Sequence, residues 1–156
     1  MERVLVSMNT RHGAWEAFSR AISLARRMDA KIYALLVLPS HAAAGGVMDK
    51  NASAVKERLE LLIEAAKSEN IPIDYFISEG KYEEEVIRFI NQNKITLLVV
   101  ESPESDSREL HLIESFRHRT TCRMEVISLR KDQQFNAKEG KKNEYSDPSV
   151  SADRRK

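Results

Sequence analysis

The chain has 156 residues, with Lys+Arg 25 against Asp+Glu 24 and a net charge of +1. That length suits one domain, and the near-neutral balance excludes a general nucleic-acid binder, which carries a clear excess of Lys and Arg on one face. The single cysteine, Cys122, excludes an internal disulfide framework and a multi-cysteine zinc site. The first residues turn polar by Asn9-Thr10-Arg11-His12, too early for a signal peptide, and no apolar run approaches the ~20 residues of a membrane span. A cytoplasmic protein with no membrane insertion is the expectation.

In chain order, Arg3 to Met8 reads as a short apolar strand around Val4-Leu5-Val6. The period then becomes helical from Ala14 to Met28, with Trp15, Phe18, Ile22 and Ala25 as the predicted inward stripe. Ile32 to Leu38 is a second strand, ended by Pro39 and followed by a small-residue stretch from Ser40 to Gly46. Ser53 to Glu69 is the longest helix, with Val55, Leu59, Leu62, Ile63 and Ala66 on one face. Pro72 separates it from a third strand, Ile73 to Ser78, and Gly80 turns the chain into a helix from Tyr82 to Asn93. The acidic triplet Glu83-Glu84-Glu85 falls in that helix's first turn, where carboxylates complement the helix dipole, so it implies no catalytic role. Ile95 to Val100 is a fourth strand, Ser107 to Arg119 a short helix with Leu110, Ile113 and Phe116 inward, and Met124 to Leu129 a fifth strand.

From Lys131 to Lys156 the apolar residues are only Phe135, Ala137, Tyr145, Val150 and Ala152. Such a segment buries too little surface to offset its ordering entropy, which predicts a folded domain over residues 1–130 and a disordered tail over 131–156. Five strands alternating with four helices predict an α/β domain, a five-stranded parallel sheet doubly wound with helices on both faces. Ligands bind such Rossmann-like folds at the carboxyl ends of the strands, so the loops after Met8, Leu38, Ser78 and Val100 matter most.

After the first strand, Asn9 and Thr10 offer hydrogen bonds and Arg11 a cation, although the simpler expectation is that Thr10 or Asn9 caps the following helix. After the fourth strand, Glu101, Glu104, Asp106 and Glu109 surround Pro103 in a loop without glycine; only Arg108 and three serines favour an anion there. No GxxxxGK[ST] or GxGxxG occurs in the chain. That loop predicts a poor phosphate cradle. Of the four histidines, His118 lies four residues before Cys122, but Thr120-Thr121 ends the helix between them, so no metal site is expected. No nucleophile elbow or receiver-type Asp appears, and no catalytic residue is assigned.

Four segments together resemble the universal stress protein family: Val4-Leu5-Val6-Ser7 with Ala17, Ala21 and Leu24-Ala25; Ala30 to Val37; Gly80 with Val86 and Ile90; and Thr121 to Ile127. The resemblance implies a doubly wound α/β fold over residues 3–130. Members that bind ATP or AMP carry G-x2-G-x9-G-[ST] after the fourth strand and an Asp after the first. Here Glu101 and Glu104 stand at expected glycines and Asn9 stands at the Asp, which disfavours ATP or AMP as a cofactor. Val37 matches the adenine-contacting position. The resemblance also implies a homodimer through the fifth strand, placing Met124, Val126 and Ile127 near a two-fold axis, where Arg123 and Glu125 are suited to pair.

The expected function is therefore that of a non-catalytic stress-response protein working through contacts with an unidentified protein partner. One alternative is an ATP- or AMP-binding protein with an altered pocket of Asn9, Thr10, Val37 and Arg108. Another is a small nucleotide-hydrolysing enzyme using the same crevice.

Overall fold

The computed structural model describes residues 1–11, 13–40, 50–103 and 107–129. The strands are β1 (Glu2–Asn9), β2 (Ala30–Leu38), β3 (Ile73–Glu79), β4 (Leu97–Pro103) and β5 (Arg123–Leu129). They alternate with α1 (Trp15–Arg27), α2 (Lys50–Ser68), α3 (Tyr82–Asn93) and α4 (Ser107–Arg119). All neighbouring strands are parallel and run β3-β2-β1-β4-β5 across one sheet. The predicted tail over 131–156 lies outside the described residues, as do His12, His41 and most of the stretch after Ser40.

Strand periodicity divides the core. Val4, Val6, Met8, Ile32, Ala34 and Leu36 face α1 and α2, while Leu5, Tyr33, Leu35 and Val37 face α3 and α4. Because the first two crossovers run towards β3 and the last two towards β5, right-handed connections put the helix pairs on opposite faces. Both faces of the inner strands are therefore dry, which explains their near-continuous apolar runs.

The predicted α2 stripe holds: Val55, Leu59, Ile63 and Ala66 are buried and Leu62 packs at the margin. In α1 the seam is shifted. Ala17, Phe18, Ala21 and Leu24 are buried, whereas Trp15, Ile22 and Ala25 are only partly so, because the small alanines let the helix lie close to the sheet. Leu110 of α4 is 49% exposed, contrary to its predicted inward position. The inward stripe instead runs through Leu112, Ile113 and Phe116, and Leu110 lies about 200° around the helix from Leu112.

β4 is also displaced from its predicted span. Lys94 closes α3 in the left-handed region (φ 54°), and Thr96 still bridges to Arg3, its N–H donating to the Arg3 carbonyl and its Oγ1 accepting from the Arg3 N–H. The strand starts at Leu97 and continues to Pro103, because β5 stays paired with it as far as Pro103↔Leu129. Glu101 and Ser102, read from sequence as loop, are strand residues.

The acidic triplet ties two helices together. Arg119 of α4 donates to Glu83 at 2.6 Å and to Glu84 at 2.9 and 3.0 Å, and Ser115 also donates to Glu83. These bonds hold both carboxyls below the usual carboxylate range, with Ser115 the leading cause for Glu83 and Arg119 for Glu84.

Candidate functional site

The strand order reverses between β1 and β4. Their ladder ends at Val6↔Val99, yet β1 remains paired with β2 to Asn9↔Val37 and β4 with β5 to Pro103↔Leu129. The two strands part beyond that point, opening a crevice at the carboxyl end of the sheet, where doubly wound folds bind ligands.

The crevice has two compartments. The inner cavity, about 30 Å³, is lined by Ser7, Asn9, Ala14, Tyr82, Glu101 and Phe116 among others. That is room for about one or two waters. The outer cleft, about 580 Å³, is lined by Asn9, Thr10, Arg11, Val37, Pro39, Gly80, Lys81, Tyr82, Glu83 and Leu112. Its size is that of a small-molecule site. Tyr82 separates the two, its hydroxyl 2.7 Å from Ser7 Oγ and 3.3 Å from the Ser7 carbonyl oxygen. Gly80 sits on the rim with φ +143°, a conformation side chains rarely adopt, and it lets β3 turn sharply into α3.

Of the ligand-binding candidates, Asn9, Thr10 and Val37 converge on the outer cleft. Arg108 belongs to the first turn of α4, and Glu104 lies outside the described residues. The expectation that Asn9 or Thr10 caps α1 is not met. Asn9 Oδ1 instead accepts the Arg11 N–H at 2.9 Å, closing an Asx turn within its own loop.

The cap of α1 comes from β4. Glu101 Oε2 accepts the N–H of Glu16 at 2.7 Å and of Ala17 at 3.0 Å. A helix N-terminus presents unpaired N–H groups and a partial positive charge, and it is where this fold class holds an external phosphate. Here the chain supplies its own anion. Sequence reasoning found the acid but not this role, and it missed Lys81, Tyr82 and Leu112 as lining residues; only the loop after Ser78 signalled the first two.

At the sheet edge, Met124 and Val126 pack towards the α3–α4 core and Ile127 towards the α1–α2 core, all partly buried within one chain. Glu125 pairs with Arg20 of α1, and Arg123 with Glu2. Cys122 lies 3.6 Å from Thr120 Oγ1, while His118 faces Glu114 at 3.6 Å on α4. Among the described residues no group of three or more His, Cys, Asp or Glu side chains is placed to hold a metal ion.

The sequence matches the profile of the Universal stress protein family over residues 1–119. The chain belongs to the universal stress protein family. Solved structures of the family share its fold at low identity. The universal stress protein UspA from Lactobacillus plantarum aligns with TM-score 0.65 and 18% identity, covering 81% of this chain and 97% of that one. A universal stress protein in complex with cAMP gives 0.60 and 15%, covering 81% and 96%. A family protein from Arabidopsis thaliana with AMP bound gives 0.58 and 17%, covering 85% and 95%. No curated protein matches in sequence. Among the described residues no helix of this universal stress protein is long and apolar enough to cross a membrane.

Proposed function

We propose that this universal stress protein is a non-catalytic regulatory protein that acts through protein contacts, as a homodimer paired along β5, and does not use ATP. The observation that carries the reading is the Glu101 carboxylate on the first turn of α1. A phosphate seated there must displace it or lie beside it. Two like charges about 4 Å apart repel by about 4 kcal/mol at the effective dielectric near a protein surface, roughly a thousandfold in affinity. The inner cavity of about 30 Å³ leaves no room for both.

Isothermal titration of the wild-type protein with ATP and Mg²⁺ tests this reading: no heat of binding is expected at micromolar ligand, and a micromolar Kd overturns it. A second reading, a nucleotide held in an altered pocket, is favoured by the convergence of Asn9, Thr10 and Val37 on one ligand-sized cleft. The cAMP and AMP complexes among its structural relatives lend it the same support. Nucleotide released into solution on heat denaturation of freshly purified protein would favour it.

A further inference from the structure

β3 is one edge of the sheet, paired with β2 on one side and, among the described residues, with no strand on the other. Two bonds fix the direction of its backbone groups. The Ile32 N–H donates to the Pro72 carbonyl and the Gly80 N–H to the Leu38 carbonyl, each at 2.9 Å. Backbone groups alternate along a strand, so those of Asp74, Phe76 and Ser78 face β2. Ile73, Tyr75, Ile77 and Glu79 turn their N–H and C=O groups to the open edge. That edge is apolar on both faces. Phe76, 36% exposed, lies on the α3 face, its ring centroid 5.0 Å from that of Phe89 and 6.3 Å from that of Tyr33. Ile77, 45% exposed, lies on the α2 face with Tyr75. β3 contains no Lys, Pro or bulge, the devices that usually blunt an edge. The carboxylates around it are neutralised within the chain: Asp74 by Lys31, Glu60 by Lys56 and Glu85 by Arg88. Glu79 is exposed, and among the described residues no ion pair reaches it.

We propose that β3 is a docking edge that receives an extended segment of a partner protein as an added antiparallel strand. Apolar side chains of that segment pack against Phe76 and Ile77, and a Lys or Arg sits opposite Glu79. Main-chain bonds to Tyr75 and Ile77 supply affinity in such strand addition, and the alternating side chains supply specificity. An antiparallel edge strand is a common closure of a parallel sheet and pairs more stably per residue than a parallel one. A second copy of this chain is the poorer occupant. Antiparallel pairing of two β3 strands about Phe76 sets Glu79 against Ile73 and leaves its charge without a counter-ion. Joined to a dimer along β5, it would also extend the sheet into an open filament. The proposal rests on the preceding reading that the protein works through protein contacts and dimerises along β5; it adds the edge used and the chemistry of the partner.

The probe is a blocked heptapeptide, Lys-Thr-Val-Val-Val-Thr-Thr, whose first, third and fifth residues fall opposite Glu79, Ile77 and Tyr75 in the antiparallel register. It is titrated into isotope-labelled full-length protein, with hydrogen exchange read by NMR. In the free protein the Tyr75 and Ile77 amides should exchange fast and those of Phe76 and Ser78, which face β2, slowly. Bound peptide should slow Tyr75 and Ile77 by roughly tenfold or more. N-methylation of the third and fifth peptide residues removes donors aimed at β3 and should weaken binding roughly tenfold or more. N-methylation of the fourth, which points away, should change it less than about threefold. Glu in place of the peptide's Lys should weaken binding roughly threefold. Ile77→Lys, shown folded by circular dichroism, should weaken it roughly tenfold. Tyr75 and Ile77 amides already protected in the free protein would mean that another segment or a second copy covers the edge, and would overturn the proposal. No binding at millimolar peptide, or equal effects of the two methylation patterns, would overturn it as well. Failure here is separable from failure of the preceding reading: Mg²⁺–ATP binding or a purely monomeric protein overturns that reading, whereas the peptide comparison overturns this one.

Discussion

Replacing Glu101 by alanine removes the carboxylate that accepts two backbone N–H groups at 2.7 and 3.0 Å in the first turn of α1. Loss of a helix cap costs about 0.5–2 kcal/mol, and charge-assisted hydrogen bonds contribute about 1.5–3 kcal/mol. The full sum does not apply, because Glu101 is only half-buried and the adjoining cavity of about 30 Å³ admits water to the freed donors. A loss of about 1–2 kcal/mol follows, which for a domain of this size lowers Tm by roughly 3–8 °C. Glu101→Gln keeps an acceptor oxygen and loses the charge, so it should fall between alanine and wild type. Urea unfolding with an unchanged m value gives the comparison, and hydrogen exchange at Glu16 and Ala17 should accelerate selectively in Glu101→Ala. If Glu101→Ala matches the wild type within about 0.3 kcal/mol and those two amides exchange at the wild-type rate, the capping argument is wrong.

Leu59 is fully buried where α2 meets the sheet, so Leu59→Ala should cost about 2–5 kcal/mol, read as a lower urea midpoint; a change below about 1 kcal/mol would contradict the packing. Glu83 and Glu84 have lowered carboxyl pKa values, so the stability they add is present above the ordinary value of 4.5 and is lost as pH falls through the lowered ones. Arg119→Met should therefore be less stable than wild type at pH 7, with the gap shrinking below pH 4; a gap that widens in acid refutes the sign. Glu101→Ala should bind AMP more tightly than wild type does, since the like charge at the inner end is gone; equal or weaker binding by titration calorimetry counts against the electrostatic argument. Truncation after residue 131 should leave Tm within about 2 °C, because the removed segment has few apolar residues to bury; a larger fall shows that it packs on the domain.

The sheet was legible because its inner strands are dry on both faces: Val4-Leu5-Val6 and Ile32 to Val37 need apolar residues at every position, whichever helix pair they meet. Helix α2 was legible because its stripe follows one period for several turns. The end of β4 was not. Glu101, Ser102 and Pro103 have loop composition, and only pairing with β5, a long-range property, keeps them extended. The site shows the same division. Asn9, Thr10 and Val37 could be nominated because strand ends and turn residues announce themselves locally. The role of Glu101 depends on bonds to residues 84 and 85 positions away, across a sheet junction that no local pattern encodes. Local signals pointed to Asn9 or Thr10 as the helix cap, and tertiary placement overrode them.

Native mass spectrometry of the freshly purified full-length protein tests the central claim most directly, since it reads bound nucleotide and oligomeric state in one spectrum. The account predicts a dimer at twice the chain mass with no increment for a nucleotide. A spectrum in which each chain carries the added mass of ATP or AMP, or one showing monomer alone at micromolar concentration, would contradict it.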